Sequence, residues 1–264
     1  MLEILQYDFM VRALVAGVLI SLVLPVLGVF LVARRYALIA DSLSHVSLAG
    51  VGAAVLAATS PLAAALPIAV GGAVLLEWLR GKQKISGETG LALLMSGGLA
   101  VAVVCANLAR NSAVDFNSYL FGSISTTTAS DLSLLFVAVL TILLIVGFSY
   151  RTLLYSSFDE DAARAANLKV SVANYALVIM TAVMVVLSLR IIGGLLLSAL
   201  IVVPVVAASQ IGRSFRQTIM LAVCVALLSV VIGLVIAFYA GIAAGGAIVL
   251  TALAIFGFIL LLKK

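Results

Sequence analysis

Charge is scarce in this chain. Only 9% of its 264 residues are Asp, Glu, Lys or Arg, where a soluble domain carries about a quarter. That scarcity excludes a water-soluble globular domain. Histidine occurs once, at position 45, and cysteine twice, at 105 and 224. A single histidine excludes HExxH metalloprotease chemistry, and two distant cysteines exclude a four-ligand structural zinc site. No Walker A motif, glycine-rich nucleotide loop or G-x-S-x-G turn occurs, so the chain is not read as an enzyme. Any ATP-driven task would need a separate ATP-binding chain. A basic n-region is missing too: the start, MLEILQYDFMVRAL, carries acids, and its apolar run continues to Val32. No cleavable signal is therefore expected.

What remains is apolar. Hydrophobic residues make up 65% of the chain, and its mean hydropathy is +1.36. Apolar runs of about 18 residues or more alternate with short polar clusters, as a polytopic helical bundle requires. The ten-residue alternation of a β-barrel is not seen. The expected fold is all-α, with about nine spans near 9–33, 38–58, 62–80, 90–109, 131–149, 172–189, 191–210, 217–239 and 245–262. An external N-terminus and a cytoplasmic C-terminus place Arg34, Arg35, Arg80, Lys82, Lys84, Arg151, Arg164, Lys169, Arg213, Arg216, Lys263 and Lys264 inside. Only Arg12, Arg110 and Arg190 then fall outside. This is the positive-inside bias of a membrane protein, so the net charge of +5 does not signal nucleic acid.

Several features have ordinary readings. Cys105 and Cys224 lie in apolar runs and read as buried packing residues. Pro25, Pro67 and Pro204 fall within spans, where they kink a helix or are simply tolerated. Ala49, Ala53 and Ala57, with Gly50 and Ala54, are spaced to let helices approach closely.

Two loops stand out on the expected cytoplasmic side, residues 80–90 and 150–172. The second contains a candidate soluble helix. Ser157 and Glu160 fit a capping box, and Asp159, Glu160 and Asp161 suit the positive end of its dipole. Asn167 suits the left-handed conformation that ends a helix. So short a helix is marginal alone in water, so it must pack on the bundle or on a soluble partner. On the opposite side, residues 110–130 carry Asp115, Phe116, Tyr119 and Phe121 among polar residues. These read equally as an interfacial aromatic belt or as a docking surface.

The sharpest signal is Asp41 and His45 in IADSLSHVSLAGVG. Four residues apart on a helix, they share a face, with β carbons about 6 Å apart. An ionisable pair at membrane depth is expensive and reads as functional by default. A carboxylate oxygen and a neutral imidazole nitrogen suit zinc or manganese. The competing reading is a buried ion pair with no ligand. Two ligands are too few for a structural zinc site, but a transit site must bind weakly enough to release its ion. Ser198 with His45 as a serine-protease dyad lacks the glycine-flanked nucleophile turn. Ser198 reads instead as a packing residue.

Five segments in order resemble the membrane permease subunits of zinc and manganese ABC importers: RRYALIADSLSHVSLAGVG, VDFNSYLFGSI, FDEDAARAANL, IIGGLLLSALIVVPVVAA and GGAIVL. The resemblance spans nearly the whole length and implies a single permease domain over 1–264. It implies that two copies of the chain form the pore over two cytoplasmic ATP-binding subunits. An extracellular or periplasmic metal-binding protein would deliver the ion in a bacterial cytoplasmic membrane. Asp41 and His45 match the family motif and would contact the metal on its path. A coupling helix at about 158–167 would seat in the ATPase through Phe158, Asp159, Glu160, Ala162, Ala166 and Asn167. Asp115, Tyr119 and Phe121 would lie in the external docking segment. No cofactor is implied beyond the transported Zn2+ or Mn2+. D-S-L-S-H and Y-L-F-G lean towards zinc. Asn167 and Glu160 depart from the family, which usually has glycine and often proline there. The alternative reading is an ion-coupled secondary transporter acting without an ATPase, but two related halves are not evident.

Overall fold

The computed structural model describes residues 6–82, 86–109, 116–122 and 127–262. These residues form helices and turns, with no strand among them. The helices are α1 (Asp8–Ala33), α2 (Ile39–Leu56), α3 (Pro61–Gly81), α4 (Gly87–Leu108), α5 (Phe116–Phe121), α6 (Ala129–Phe158), α7 (Glu160–Ala165), α8 (Val170–Ile192), α9 (Gly194–Ile211), α10 (Phe215–Ala240) and α11 (Ala244–Leu262). Eight of them are long and apolar enough to cross a membrane. The expected span at 191–210 is α9, whose apolar stretch Leu196–Ile211 is shorter. At 1.5 Å per residue that stretch covers about 24 Å, short of a hydrocarbon core of about 30 Å.

Helix ends follow local chemistry. Ser60 caps α3 by accepting from the Ala63 amide, with Pro61 at the first helical position, where its missing N–H is not needed. Ser86 caps α4 and Ser214 caps α10. Thr128 and Asp131 form a reciprocal capping box at the start of α6. Pro25, Pro67 and Pro204 sit inside α1, α3 and α9 as the sequence predicts.

The layering explains why most helices show so little amphipathicity. Helix α2 is the most enclosed span, with 78% of its apolar window buried, and α1 and α8 are also mostly buried. Helices α4, α6 and α11 pack around them and turn Leu93, Val104, Phe148, Leu250 and Phe258 outward. With lipid outside and side chains inside, both faces of such a helix are apolar. Cys105 is buried as expected, but Cys224 is exposed. It lies four residues before Leu228 on the outward stripe of α10 that continues through Ile232 and Ile236, so its apolar surroundings are the outer face and not the core.

Two further corrections concern the segment after residue 149. Helix α6 continues to Phe158, through residues expected to be loop. Leu153, Ser156 and Ser157 are buried there, so tertiary packing sustains the extra turns. Ser157 is consequently helical and cannot cap the next helix. Its hydroxyl donates to the Leu153 carbonyl at 2.6 Å. The cap passes to Asp159, whose carboxylate accepts from the Asp161 and Ala162 amides at 2.9 Å. Helix α7 therefore spans six residues, shorter than expected. Asn167 does adopt the left-handed conformation, at φ 59°.

Candidate metal site and coupling segment

Asp41 sits in the first turn of α2, and His45 one turn later. His45 is 6% exposed, while Asp41 is half-buried. Its neighbours fix the depth. A Cβ on Gly98, midway along α4, would lie 2.7 Å from the Val46 nitrogen and 2.8 Å from the His45 carbonyl carbon. The absent side chain lets α4 press against the α2 backbone at this point. Gly72, midway along α3, faces the Val46 side chain. His45 thus lies near the middle of two membrane-length helices.

The polar atoms around the pair divide cleanly. Ser42 Oγ donates to the Leu91 carbonyl at 2.9 Å, Ser44 Oγ to Ala40 at 2.8 Å and Ser47 Oγ to Leu43 at 2.6 Å. Those hydroxyls are satisfied by backbone. His45 Nδ1 is buried and has no hydrogen-bond partner. An orphaned buried ring nitrogen is unusual and needs an explanation. Among the described residues no ion pair joins His45 to Asp41 or to any other carboxylate. Asp41 Oδ1 instead accepts from Ser198 Oγ on α9 at 3.4 Å. The donor set offered by one chain is a carboxylate, an imidazole nitrogen and a hydroxyl oxygen. No cluster of three or more His, Cys, Asp or Glu able to hold a metal occurs among the described residues.

Helix α9 reaches this point because of two glycines. Gly122 and Gly193 have φ of 77° and 92°, values costly for any other residue. Each also faces the other's strand of backbone: a Cβ on Gly122 would lie 2.5 Å from the Ile192 carbonyl carbon, and one on Gly193 would meet Phe121 and Gly122. The end of α5 is thereby pinned against the turn between α8 and α9. Tyr119 of α5 is half-buried, which pushes its phenol pKa up. It lines a cavity of about 300 Å³ with Asp131 and Arg190, which pair at 3.2 Å. Phe121 is exposed. Asp115 lies outside the described residues.

At the opposite end, α7 docks through Ala163, which is buried. Phe158, Asp159, Ala162, Ala166 and Asn167 all face outward. Phe158 is 73% exposed, with its ring 5.8 Å from that of Phe215. Glu160 alone of the expected coupling residues turns inward. Its Oε1 accepts from Arg80 Nη1 on α3 and from Asn174 Nδ2 on α8, both at 3.0 Å. Arg80 also grips the buried Glu77 through two bonds of 2.7 and 3.1 Å. Arg34, just past α1, donates to Asn174 Oδ1, to Ser156 Oγ and to Ser157 Oγ. Burial lowers the Arg34 pKa and raises that of Tyr36 to about 12. A cavity of about 590 Å³ opens between Arg34, Tyr36, Arg80, Glu88 and Glu160.

The sequence singles out Asp41, His45 and the α7 segment as candidates, but not this network. Arg34 and Arg80 look like loop cations that only set topology. Glu77 stands near the end of α3, where an acid is ordinarily solvated, yet it is 4% exposed. Asn174 was the available signal, a polar residue inside VSVANYALV.

The chain has relatives among known proteins. The chain is 36% identical over 244 residues to the "Probable metal transport system membrane protein" of Treponema pallidum, covering 92% of this chain and 91% of that protein. It is 27% identical to the "High-affinity zinc uptake system membrane protein ZnuB" of Haemophilus influenzae, covering 93% and 94%. It is 28% identical to the "Manganese transport system membrane protein MntC" of Listeria innocua, covering 96% and 90%. Its fold matches a chain of the solved structure "PsaBC from Streptococcus pneumoniae in complex with Fab" with a TM-score of 0.86 at 26% identity, covering 97% and 92%. The profile of the ABC 3 transport family, "ABC 3 transport family", matches residues 6–263, and the chain belongs to that family.

Proposed function

We propose that the chain is the membrane-spanning permease subunit of an ATP-driven importer of divalent transition metal, with zinc as cargo ahead of manganese. Residues 1–264 form one permease domain in a bacterial cytoplasmic membrane, N-terminus outside. Two copies line the path, and two ATP-binding subunits dock beneath them. An external metal-binding protein delivers the ion near α5, through Asp115, Tyr119 and Phe121. The chain itself hydrolyses nothing.

The single observation behind the metal path is the buried, partnerless Nδ1 of His45 one turn from Asp41. A buried imidazole left unbonded is costly unless a ligand visits it. The ion is the substrate here. Asp41 supplies charge, His45 nitrogen and Ser198 an oxygen beside the carboxylate. One chain offers fewer donors than a zinc or manganese ion takes. A second copy or water completes the set, and incomplete coordination favours release. ATP binding in the partner is carried to the bundle by α7, whose outward residues Phe158, Asp159, Ala162, Ala166 and Asn167 form the contact. One His with one Asp can serve either ion, and the preference for zinc rests on the D-S-L-S-H and Y-L-F-G segments.

The test is uptake of labelled zinc, with manganese as competitor, in cells expressing the chain with its ATP-binding subunit. Wild type is compared with His45→Ala at equal membrane abundance. ATPase-dependent uptake that collapses in the variant supports the path, and the competition names the metal. Unchanged uptake in His45→Ala refutes it.

A further inference from the structure

Helix α7 has six residues, too few to hold a helical shape unaided. Its position is therefore set by what it touches. Ala163 supplies apolar contact, but the directional bonds to other elements come from Glu160. One carboxylate oxygen of Glu160 receives Arg80 from α3 and Asn174 from α8. From these two residues the contacts continue inward along separate arms.

The first arm runs through Arg80. Its guanidinium holds Glu77 on one edge and Glu160 on another, and it lies over the Tyr36 ring at 5.7 Å from the centroid. Tyr36 stands in the turn that leads into α2: its carbonyl accepts from the Ile39 amide at 3.1 Å. Asp41 follows five residues later. The second arm runs through Asn174 to Arg34, which also holds the end of α6 through Ser156, Ser157 and the Leu153 carbonyl. Arg34 and Tyr36 flank Arg35, whose φ of 61° marks a sharp, costly turn. Both arms thus end on the short connection between α1 and α2.

We propose that Arg80 and Asn174 are positioning residues that carry movement of α7 into the α1–α2 turn, and so into the helix bearing Asp41 and His45. The inference rests on the reading of α7 as the segment seated in the ATP-binding subunit. The physical reason is stiffness. Glu77 and the Glu160 oxygen shared by two donors lie in partly or wholly buried surroundings, where a bond once broken leaves an uncompensated group. Displacing α7 while those bonds persist must drag the ends of α3 and α8 with it. Apolar contacts alone would let the helix slide. Arginine suits the junction because its planar fork serves two carboxylates at once, which a lysine ammonium on a flexible stem does not.

The test uses the assembled complex of this chain and its ATP-binding subunit, reconstituted in vesicles with the external binding protein and labelled zinc. Zinc carried per ATP hydrolysed is measured for wild type, Arg80→Lys, Asn174→Ala and the double variant. Arg80→Lys keeps the charge beside Glu77 but not the fork, and Asn174→Ala cuts the second arm while leaving Arg34 bonded to α6. Zinc per ATP is expected to fall about fivefold in each single variant, the low end of measured coupling between sites. ATP hydrolysis by the complex is expected to persist. The double variant should fall further than either single one. A merely structural role would lower hydrolysis and transport together and leave the ratio at the wild-type value, and that result would overturn the proposal. Should the double variant fail to assemble, Asn174→Ala alone decides in the same way. A wild-type complex that hydrolyses ATP but carries neither zinc nor manganese overturns the permease reading itself. Normal wild-type transport with unchanged ratios in the variants overturns only the linkage.

Discussion

Ser198 Oγ donates to Asp41 Oδ1 across the contact between α9 and α2, at 3.4 Å. The bond is long, and it joins residues 157 positions apart in the chain. It sets the carboxylate beside a hydroxyl oxygen. On the proposed metal path the hydroxyl would act either by orienting Asp41 or by adding an oxygen of its own.

Ser198→Ala is expected to weaken metal uptake about tenfold in apparent affinity, as loss of an orienting partner typically does. Ser198→Cys tests the chemistry. A thiolate favours zinc over manganese, whereas a hydroxyl is tolerated by both. The ratio of zinc to manganese uptake should rise in Ser198→Cys, measured by competition with both labelled ions. An unchanged ratio together with full uptake in Ser198→Ala would remove Ser198 from the site.

Gly98 is the residue that lets α4 lie against the backbone of His45. Gly98→Ala places a methyl within 3.0 Å of three backbone atoms of His45 and Val46. Backbone cannot rotate away as a side chain can, so α4 or α2 must shift. Overpacking of this kind costs about 1–3 kcal/mol. The expected outcome is a lower melting temperature in detergent and a loss of zinc uptake. Gly97→Ala is the control, because a Cβ there meets nothing within 4 Å. Equal behaviour of the two variants would refute the close-packing role.

Glu77 has Arg80 as its partner. Its side chain is 5% exposed and its two oxygens are both bonded to Arg80. Arg80→Ala leaves that carboxylate buried without a partner, which costs about 3–5 kcal/mol when an ion pair is broken from one side. Arg80→Ala with Glu77→Gln removes the stranded charge and should recover much of the loss. Thermal unfolding of the three purified proteins in one detergent measures this. A double variant no more stable than Arg80→Ala would mean that the pair contributes little.

The fold was legible because lipid imposes one rule along the chain: spans must be long, apolar and helical. Eight membrane-length helices fall where the apolar runs predict them. Asp41 and His45 are legible as a candidate site for the same reason, since they stand out against an apolar background. What escaped the sequence is what depends on distant partners. The extra turns of α6 hold because Ser156 and Ser157 meet Arg34 from α1. The displaced cap on Asp159 follows from those turns. Gly98 looks like any small residue until it is seen against His45. Cys224 reads as core because lipid-facing and core-facing positions share one composition.

Asn167 offers the cleanest test of the α7 boundary. It stands at φ 59°, beyond the C-cap residue Ala166. Its amide donates to the Arg164 carbonyl at 3.0 Å, and the Leu168 amide donates to Ala163 at 3.1 Å. Both bonds require the left-handed turn. Glycine adopts that turn at no steric cost, asparagine at little, and a β-branched residue only with strain. Asn167→Gly should therefore keep metal uptake and the slow hydrogen exchange of the Asn167-position and Leu168 amides. Asn167→Val should raise the local cost by about 1–2 kcal/mol, which speeds exchange at both amides about tenfold or more. Because α7 is so short, the loosened end also reaches Glu160, and zinc carried per ATP should fall. Slow exchange retained in Asn167→Val would show that packing of Ala163, and not the left-handed turn, fixes the end of α7.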